Sequence, residues 1–182
     1  MEKGFSATST RDIARVSGML PGSLYYHFSS KEDLLVAIYE EGVIRIGASV
    51  DKALDGAGPD PWERMRAACA AHLGMLLGGS DYAHVMARVL PGDVPGAEDN
   101  LIALRHEYEA RFVRIIDALP LAESVDRSIL RVMLIGAMNH APVWFRPGRD
   151  APEALARKFV DNLRHSIAAE TKDRSSQTGQ KA

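Results

Sequence analysis

Residues 21–31, Pro-Gly-Ser-Leu-Tyr-Tyr-His-Phe-Ser-Ser-Lys, hold the side chains best suited to recognition chemistry. Two adjacent tyrosines cannot both face one core from a helix, so at least one of Tyr25 and Tyr26 reaches solvent. His27 follows them, and its imidazole can either hydrogen-bond outward or pack at a helix end. Short helices that display aromatic hydrogen-bonding side chains are what a helix-turn-helix presents to the DNA major groove. Arg11 and Arg15 stand four apart, so one turn of helix carries both charges on one face, either as groove contacts or as solvated surface. Lys31 is open to the same two readings. Other chemistries lack their residues. There is no Walker loop, Gly-x-Gly-x-x-Gly turn, Gly-x-Ser-x-Gly elbow or His-Glu-x-x-His pair, and Glu-x-x-His is absent. The six histidines are scattered and Cys69 is the one thiol, so neither a metal centre nor catalysis is expected.

The elements that must position these residues are all helical. Ser9, answered by Asp12, forms a capping box, and Gly18 suits the helix stop that follows. Pro21 opens a second short helix that ends near Phe28. Ser30 and Asp33 launch a long helix whose stripe is Leu35, Tyr39, Val43, Ile46, Val50 and Leu54, closed by the 56–61 breaker cluster. Asp60 and Pro61 begin the next, with Trp62, Met65, Cys69, Leu73 and Leu76 on one face. A short helix near Asp81–Val89 is expected, then a stripe from Leu101 through Leu104, Tyr108, Phe112 and Ile115 to Leu119, stopped by Pro120. From about Ser124 to Phe145 apolar residues surround a single expected helix, which must therefore be covered on every side. A last helix starts at Asp150-Ala-Pro-Glu and carries Leu155, Phe159, Leu163 and Ile167. No strand alternation and no internal repeat occurs, so the fold class is all-α.

The 182 residues suffice for one sizeable core with a small satellite domain. The expected division is a helix-turn-helix domain at 1–40, a helical regulatory and dimerisation domain at 41–170, and a disordered tail at 171–182. No apolar run is long enough to cross a bilayer and no signal core follows Met1, so a cytoplasmic location is expected. A lone cysteine fits a reducing compartment. Net charge is −2, and within the first 39 residues four cations cancel four anions. That balance weakens the electrostatic footprint DNA binding usually leaves.

Ala7-Thr-Ser-Thr-Arg-Asp-Ile-Ala, Gly18, Pro21-Gly-Ser-Leu-Tyr-Tyr-His-Phe and Ser30-Lys-Glu-Asp-Leu-Leu, in this order and spacing, resemble the DNA-binding domain of the TetR family of bacterial transcriptional regulators. The resemblance covers roughly the first 40 residues. It implies that Pro21–Phe28 is the recognition helix. Thr10, Arg11, Pro21, Gly22, Ser23, Tyr25, Tyr26, His27 and Lys31 are then the DNA contacts, with Lys31 a phosphate anchor and Leu24 and Phe28 turned inward. Leu20 stands where the family usually carries a capping oxygen. The family also places an amphipathic helix ahead of this segment, and its absence leads us to expect a reader lacking its first helix, with a misplaced start favoured over a real truncation.

Family membership further implies a homodimer, a palindromic double-stranded operator and a small-molecule effector, with no cofactor and no membrane. The effector is expected to be largely apolar, acyl or aromatic, and its binding to release a repressor. Candidate effector contacts are His72, Met75, Tyr82, Met86, Arg105, Phe112, Met133, Asn139 and His140. Candidate dimer contacts are Ile129, Leu130, Leu134, Met138, Trp144, Leu155, Phe159 and Leu163, which would build an isologous four-helix interface. A dimeric helical ligand-binding protein with impaired or lost DNA binding is the rival reading.

Overall fold

The computed structural model describes residues 5, 7–79, 82, 85, 89, 92 and 94–177, with side chains described as far as 166. Every regular element among them is helical: α1 (Thr10–Val16), α2 (Pro21–His27), α3 (Lys31–Asp55), α4 (Pro61–Leu77), a 3₁₀ turn (Pro95–Ala97), α5 (Glu98–Asp117), α6 (Arg127–Asn139), α7 (Ala141–Trp144) and α8 (Pro152–Gln177).

Local signals account for the first three helices. Ser9 Oγ accepts from the Asp12 amide at 3.1 Å, and the Asp12 carboxylate accepts from the Ser9 amide at 3.1 Å, completing the capping box. At the other end of α1, Gly18 takes a φ of 66°. Its amide donates to the Arg15 carbonyl and that of Met19 to the Ala14 carbonyl, which is the paired bonding of a Schellman stop. α2 begins at Pro21 with Leu20 in the cap position and no side-chain cap, as expected. Ser30 Oγ accepts from Asp33 N at 3.0 Å to start α3.

Packing does the rest. The α3 stripe from Leu35 to Val50 and the α4 stripe from Trp62 to Leu76 are buried together, with α4 lying between α3 and α8. α5 lies across α3 and α4, adding Leu101, Tyr108, Phe112, Ile115 and Ile116 to the same core. Arg111 of α5 reaches over Gly47 to grip Asp51 of α3 in a bidentate pair, Nε–Oδ1 2.9 Å and Nη2–Oδ2 2.9 Å. Gly47 makes that crossing possible, since a Cβ there would stand 2.8 Å from the guanidinium.

One expectation needs correction. The single helix foreseen from Ser124 to Phe145 is two, and it starts at Asp126, whose carboxylate accepts from Ser128 N at 2.9 Å and Ile129 N at 3.0 Å. Pro142 cannot donate to the carbonyl four residues back and its ring crowds it, so α6 ends at Asn139 and α7 restarts at Ala141. The last helix runs through Gln177. No glycine or proline lies between Pro152 and Gln177, so nothing local stops it. Residues 178–182, most of the expected Asp81–Val89 helix, and Met86 lie outside the described residues.

Candidate functional site

The N-terminal surface is built from α1, α2 and the start of α3. α2 buries one side chain, Leu24, against α1, where Ala14 is fully enclosed. Everything else on that helix faces out: Pro21, Gly22, Ser23, Tyr25, Tyr26 and His27 are exposed, Tyr26 to 86%. The Tyr26 and His27 rings meet edge to face at 5.1 Å, a contact that orients both. Thr10 Oγ1 lies 2.5 Å from the Tyr25 hydroxyl, fixing α2 against the start of α1.

The cations are arranged unequally. Arg11 is exposed, and among the described residues it enters no ion pair. Arg15 is tied to Asp12 at 3.2 Å. Lys31, expected as a phosphate anchor, is half-buried, and its ammonium donates to the carbonyls of Phe5 at 2.8 Å and Thr8 at 3.0 Å while lying 4.2 Å from the Phe5 ring centroid. It fastens the segment before α1 to the head of α3. Val16, Met19 and Leu20 form an exposed apolar edge beside this surface.

The 25 residues of α3 lead from this surface to a cavity of about 20 Å³ lined by α3, α4, α5 and α6. Its walls are Tyr39, Ile46, His72, Leu76, Arg105, Tyr108, Glu109, Ile135 and Asn139. His72 is 2% exposed and spans the floor, with Nδ1 2.6 Å from the Tyr108 hydroxyl and Nε2 3.1 Å from Asn139 Oδ1. An amide oxygen can only accept, so Nε2 carries the proton and the Tyr108 hydroxyl donates to Nδ1. Burial pulls the His72 pKa down to about 4, against a smaller opposing effect of the Asn139 hydrogen bond, so the imidazole is neutral at ordinary pH. Burial likewise raises Tyr108 well above the usual phenol range and pushes the Cys69 thiol up to about 12, which leaves that thiol inert. Among the described residues no three His, Cys, Asp or Glu side chains gather as a metal site.

Of the candidate effector contacts, His72, Arg105 and Asn139 line this cavity together, and Phe112 packs beside them with its ring centroid 6.0 Å from that of His72. Met75 is half-buried against the core. Tyr82 is half-buried under the Arg45 guanidinium, 4.6 Å from its ring centroid. Met133 and His140 are exposed and do not join the cavity. Tyr39, Tyr108 and Glu109 were missed. Their signals were weak: the two tyrosines look like stripe residues, while Glu109 stands four residues after Arg105, a spacing that promised an ion pair.

α6 divides by face. Leu130, Leu134 and Met138, with Leu155 of α8, were expected at a dimer interface but are buried in the chain's own core. Ile129 and Trp144 from that set are exposed, joined by Val132, Met133 and Val143, while Phe159 and Leu163 are half-buried.

The helix-turn-helix and the helical domain that follows it have known counterparts. The family model for bacterial regulatory proteins of the tetR family matches residues 1–38, and that for the tetracyclin repressor-like C-terminal domain matches residues 58–167. The chain belongs to the tetR family of bacterial transcriptional regulators. The HTH-type transcriptional repressor KstR2 of Mycobacterium tuberculosis (strain ATCC 25618 / H37Rv) is 56% identical over 34 residues, which is 19% of this chain and 17% of that protein. KstR2 of Mycolicibacterium smegmatis is 36% identical over 64 residues, 35% of this chain and 31% of that one. The match therefore spans less than a third of either relative. Among solved structures, the regulator PfmR from Thermus thermophilus has a TM-score of 0.71 at 28% identity, covering 88% of this chain and 89% of its own. AibR, solved with isovaleryl coenzyme A and operator DNA, shares the fold, with a TM-score of 0.72 at 23% identity and coverage of 87% and 88%.

Proposed function

We propose that this regulator is a repressor that binds a palindromic operator as a homodimer and leaves it when a small, largely apolar effector enters the α3–α6 cavity. One observation carries the DNA reading most: α2 turns every side chain but Leu24 outward, the Tyr25, Tyr26 and His27 run among them. Thr10 and Arg11 would contact DNA from α1, and Pro21 would set the approach of α2. Lys31 would act by placing the segment before α1, since its ammonium already serves two carbonyls.

The exposed strip of Ile129, Val132, Met133, Val143 and Trp144 is the surface we assign to the second subunit. Two-fold symmetry then places two α2 helices on half-sites about 34–36 Å apart, or a multiple of that. Coupling would run through α3, which carries Tyr39 and Ile46 in the cavity wall and, at its head, Lys31 on the segment before α1. Ligand pockets occupy roughly 300–1,000 Å³. A cavity of about 20 Å³ must therefore open to admit an effector, and an effector that requires the opened form shifts the population toward it.

A gel-shift with DNA flanking the gene tests this reading. The expected result is a shift that Tyr26→Ala weakens tenfold or more without lowering the thermal midpoint, since that ring is 86% exposed. Two outcomes count against it: a failure to shift any flanking fragment, which would favour the ligand-binding protein without DNA binding, or a Tyr26→Ala variant that binds as tightly as the parent.

A further inference from the structure

The charge cluster that includes Arg105 and Glu109 of the cavity wall is unbalanced once Arg131, just behind the wall, is counted. Glu109 of α5 is shared by two guanidinium groups: Arg131 of α6 hydrogen-bonds one carboxylate oxygen through Nη1, and Arg105 of α5 stands 3.3 Å from the other through Nε. Side-chain exposure is 16% for Glu109, 21% for Arg131 and 36% for Arg105, so this cluster is only partly screened by water. Two cations against one anion leave one positive charge. Among the described residues no other carboxylate lies within ion-pair distance of either arginine.

Arg105 is the less satisfied partner. It touches Glu109 by charge contact alone, and among the described residues its guanidinium donates no hydrogen bond. It is close enough to Tyr39, on the opposite wall, to favour ionisation of that phenol against the stronger effect of burial. Asn139 adds amide N–H donors that make no hydrogen bond among the described residues, its oxygen being taken by His72. His72 itself brings no charge, and Ile46, Leu76 and Ile135 make the remainder apolar. Donors thus outnumber acceptors, and a planar guanidinium with its fork unused fits a carboxylate better than any neutral oxygen.

We infer that the effector is a small carboxylic acid bound as its anion, with the carboxylate on the Arg105 fork and its apolar body against Ile46, Leu76 and Ile135. Glu109 stays with Arg131, so one monoanion neutralises the cluster. This rests on the reading of the cavity as the effector site.

Calorimetric titration of the full chain with hexanoate and with methyl hexanoate tests the inference. The acid is expected to bind at least tenfold more tightly than the ester. Arg105→Gln should abolish that preference, and Arg105→Lys should restore part of it. Arg131→Gln should weaken the preference, because Arg105 is then the one partner left to Glu109 and the cluster no longer carries a net positive charge. Near-ultraviolet circular dichroism checks that each variant is folded, and Arg105→Lys carries the test if Arg105→Gln is not. Equal affinity for acid and ester, an acid preference indifferent to Arg105, or no binding of either probe would overturn the inference. A parallel gel-shift separates the two readings. Release of DNA by the ester but not the acid removes the anion and leaves the regulator. Acid binding by a chain that shifts no DNA does the reverse.

Discussion

His72 makes the stability of this fold pH-dependent in a way that can be isolated. Its imidazole is enclosed between Tyr108 and Asn139 and titrates at about 4, against 6.5 for an open histidine. The folded state therefore accommodates the neutral ring and the unfolded chain binds the proton first. The contribution is fully present above pH 6.5 and disappears as pH falls from there through about 4. A displacement of that size corresponds to about 3 kcal/mol, of which about 2 kcal/mol is lost between about pH 7 and about pH 4.5. Domains of this kind hold only about 5–15 kcal/mol in total, so the effect is measurable. Carboxylates add their own acid dependence, and a variant must subtract it. His72→Gln keeps a neutral polar side chain and cannot take up the proton. Urea unfolding of parent and variant at those two pH values, at one protein concentration, should show the parent losing about 2 kcal/mol more than the variant over that interval. The variant should start lower at neutral pH, because the Tyr108 and Asn139 partnership is disturbed. Parallel losses in the two proteins would refute the reasoning, and would mean that the ring is charged or hydrated in the folded state.

Three further outcomes follow from the packing. Met133→Asp, at a side chain 65% exposed, should leave the subunit folded and weaken self-association tenfold or more by sedimentation, and an unchanged dimer would remove α6 from the interface. Arg111→Ala breaks the bidentate grip on Asp51, whose side chain is 47% exposed; a loss of about 1 kcal/mol, or about 2–4 °C in thermal midpoint, is expected. Asp51→Ala should add little to it in the double variant, and full additivity would show that the pair is not coupled. Gly18→Ala meets open space but must hold a φ of 66°, so a cost of about 1–2 kcal/mol should appear in chemical unfolding, with none appearing if the turn can relax.

The short-range parts of this fold were readable because their causes lie within four residues. Ser9 and Asp12 close the capping box on each other, and Gly18 stops α1 by a backbone conformation that side chains avoid. The α3 and α4 stripes were equally plain, because a helix with one apolar face has one way to lie on a core. α6 was different. Its apolar residues surround it, so periodicity could not say which of Leu130, Leu134 and Met138 or Ile129, Val132 and Met133 face inward. The break at His140 needed attention to Pro142, and the cap at Asp126 was hidden behind an equally plausible Ser124.

The chain by itself determined an all-helical protein with a helix-turn-helix at its start, since capping, turn chemistry and the Tyr25–His27 run act locally. It also offered His72, Arg105 and Asn139 among the polar groups that could orient a ligand, Asn139 as one that interrupts an apolar helix. Only the tertiary structure decided that these three share a cavity with Tyr108 and Glu109, brought together from α4, α5 and α6. It alone showed Lys31 holding backbone and one face of α6 left uncovered. Contacts across 36 and 67 residues of chain, such as those of His72 with Tyr108 and Asn139, depend on how helices cross. That crossing is set by the joint packing of many side chains, which no single stretch of sequence contains.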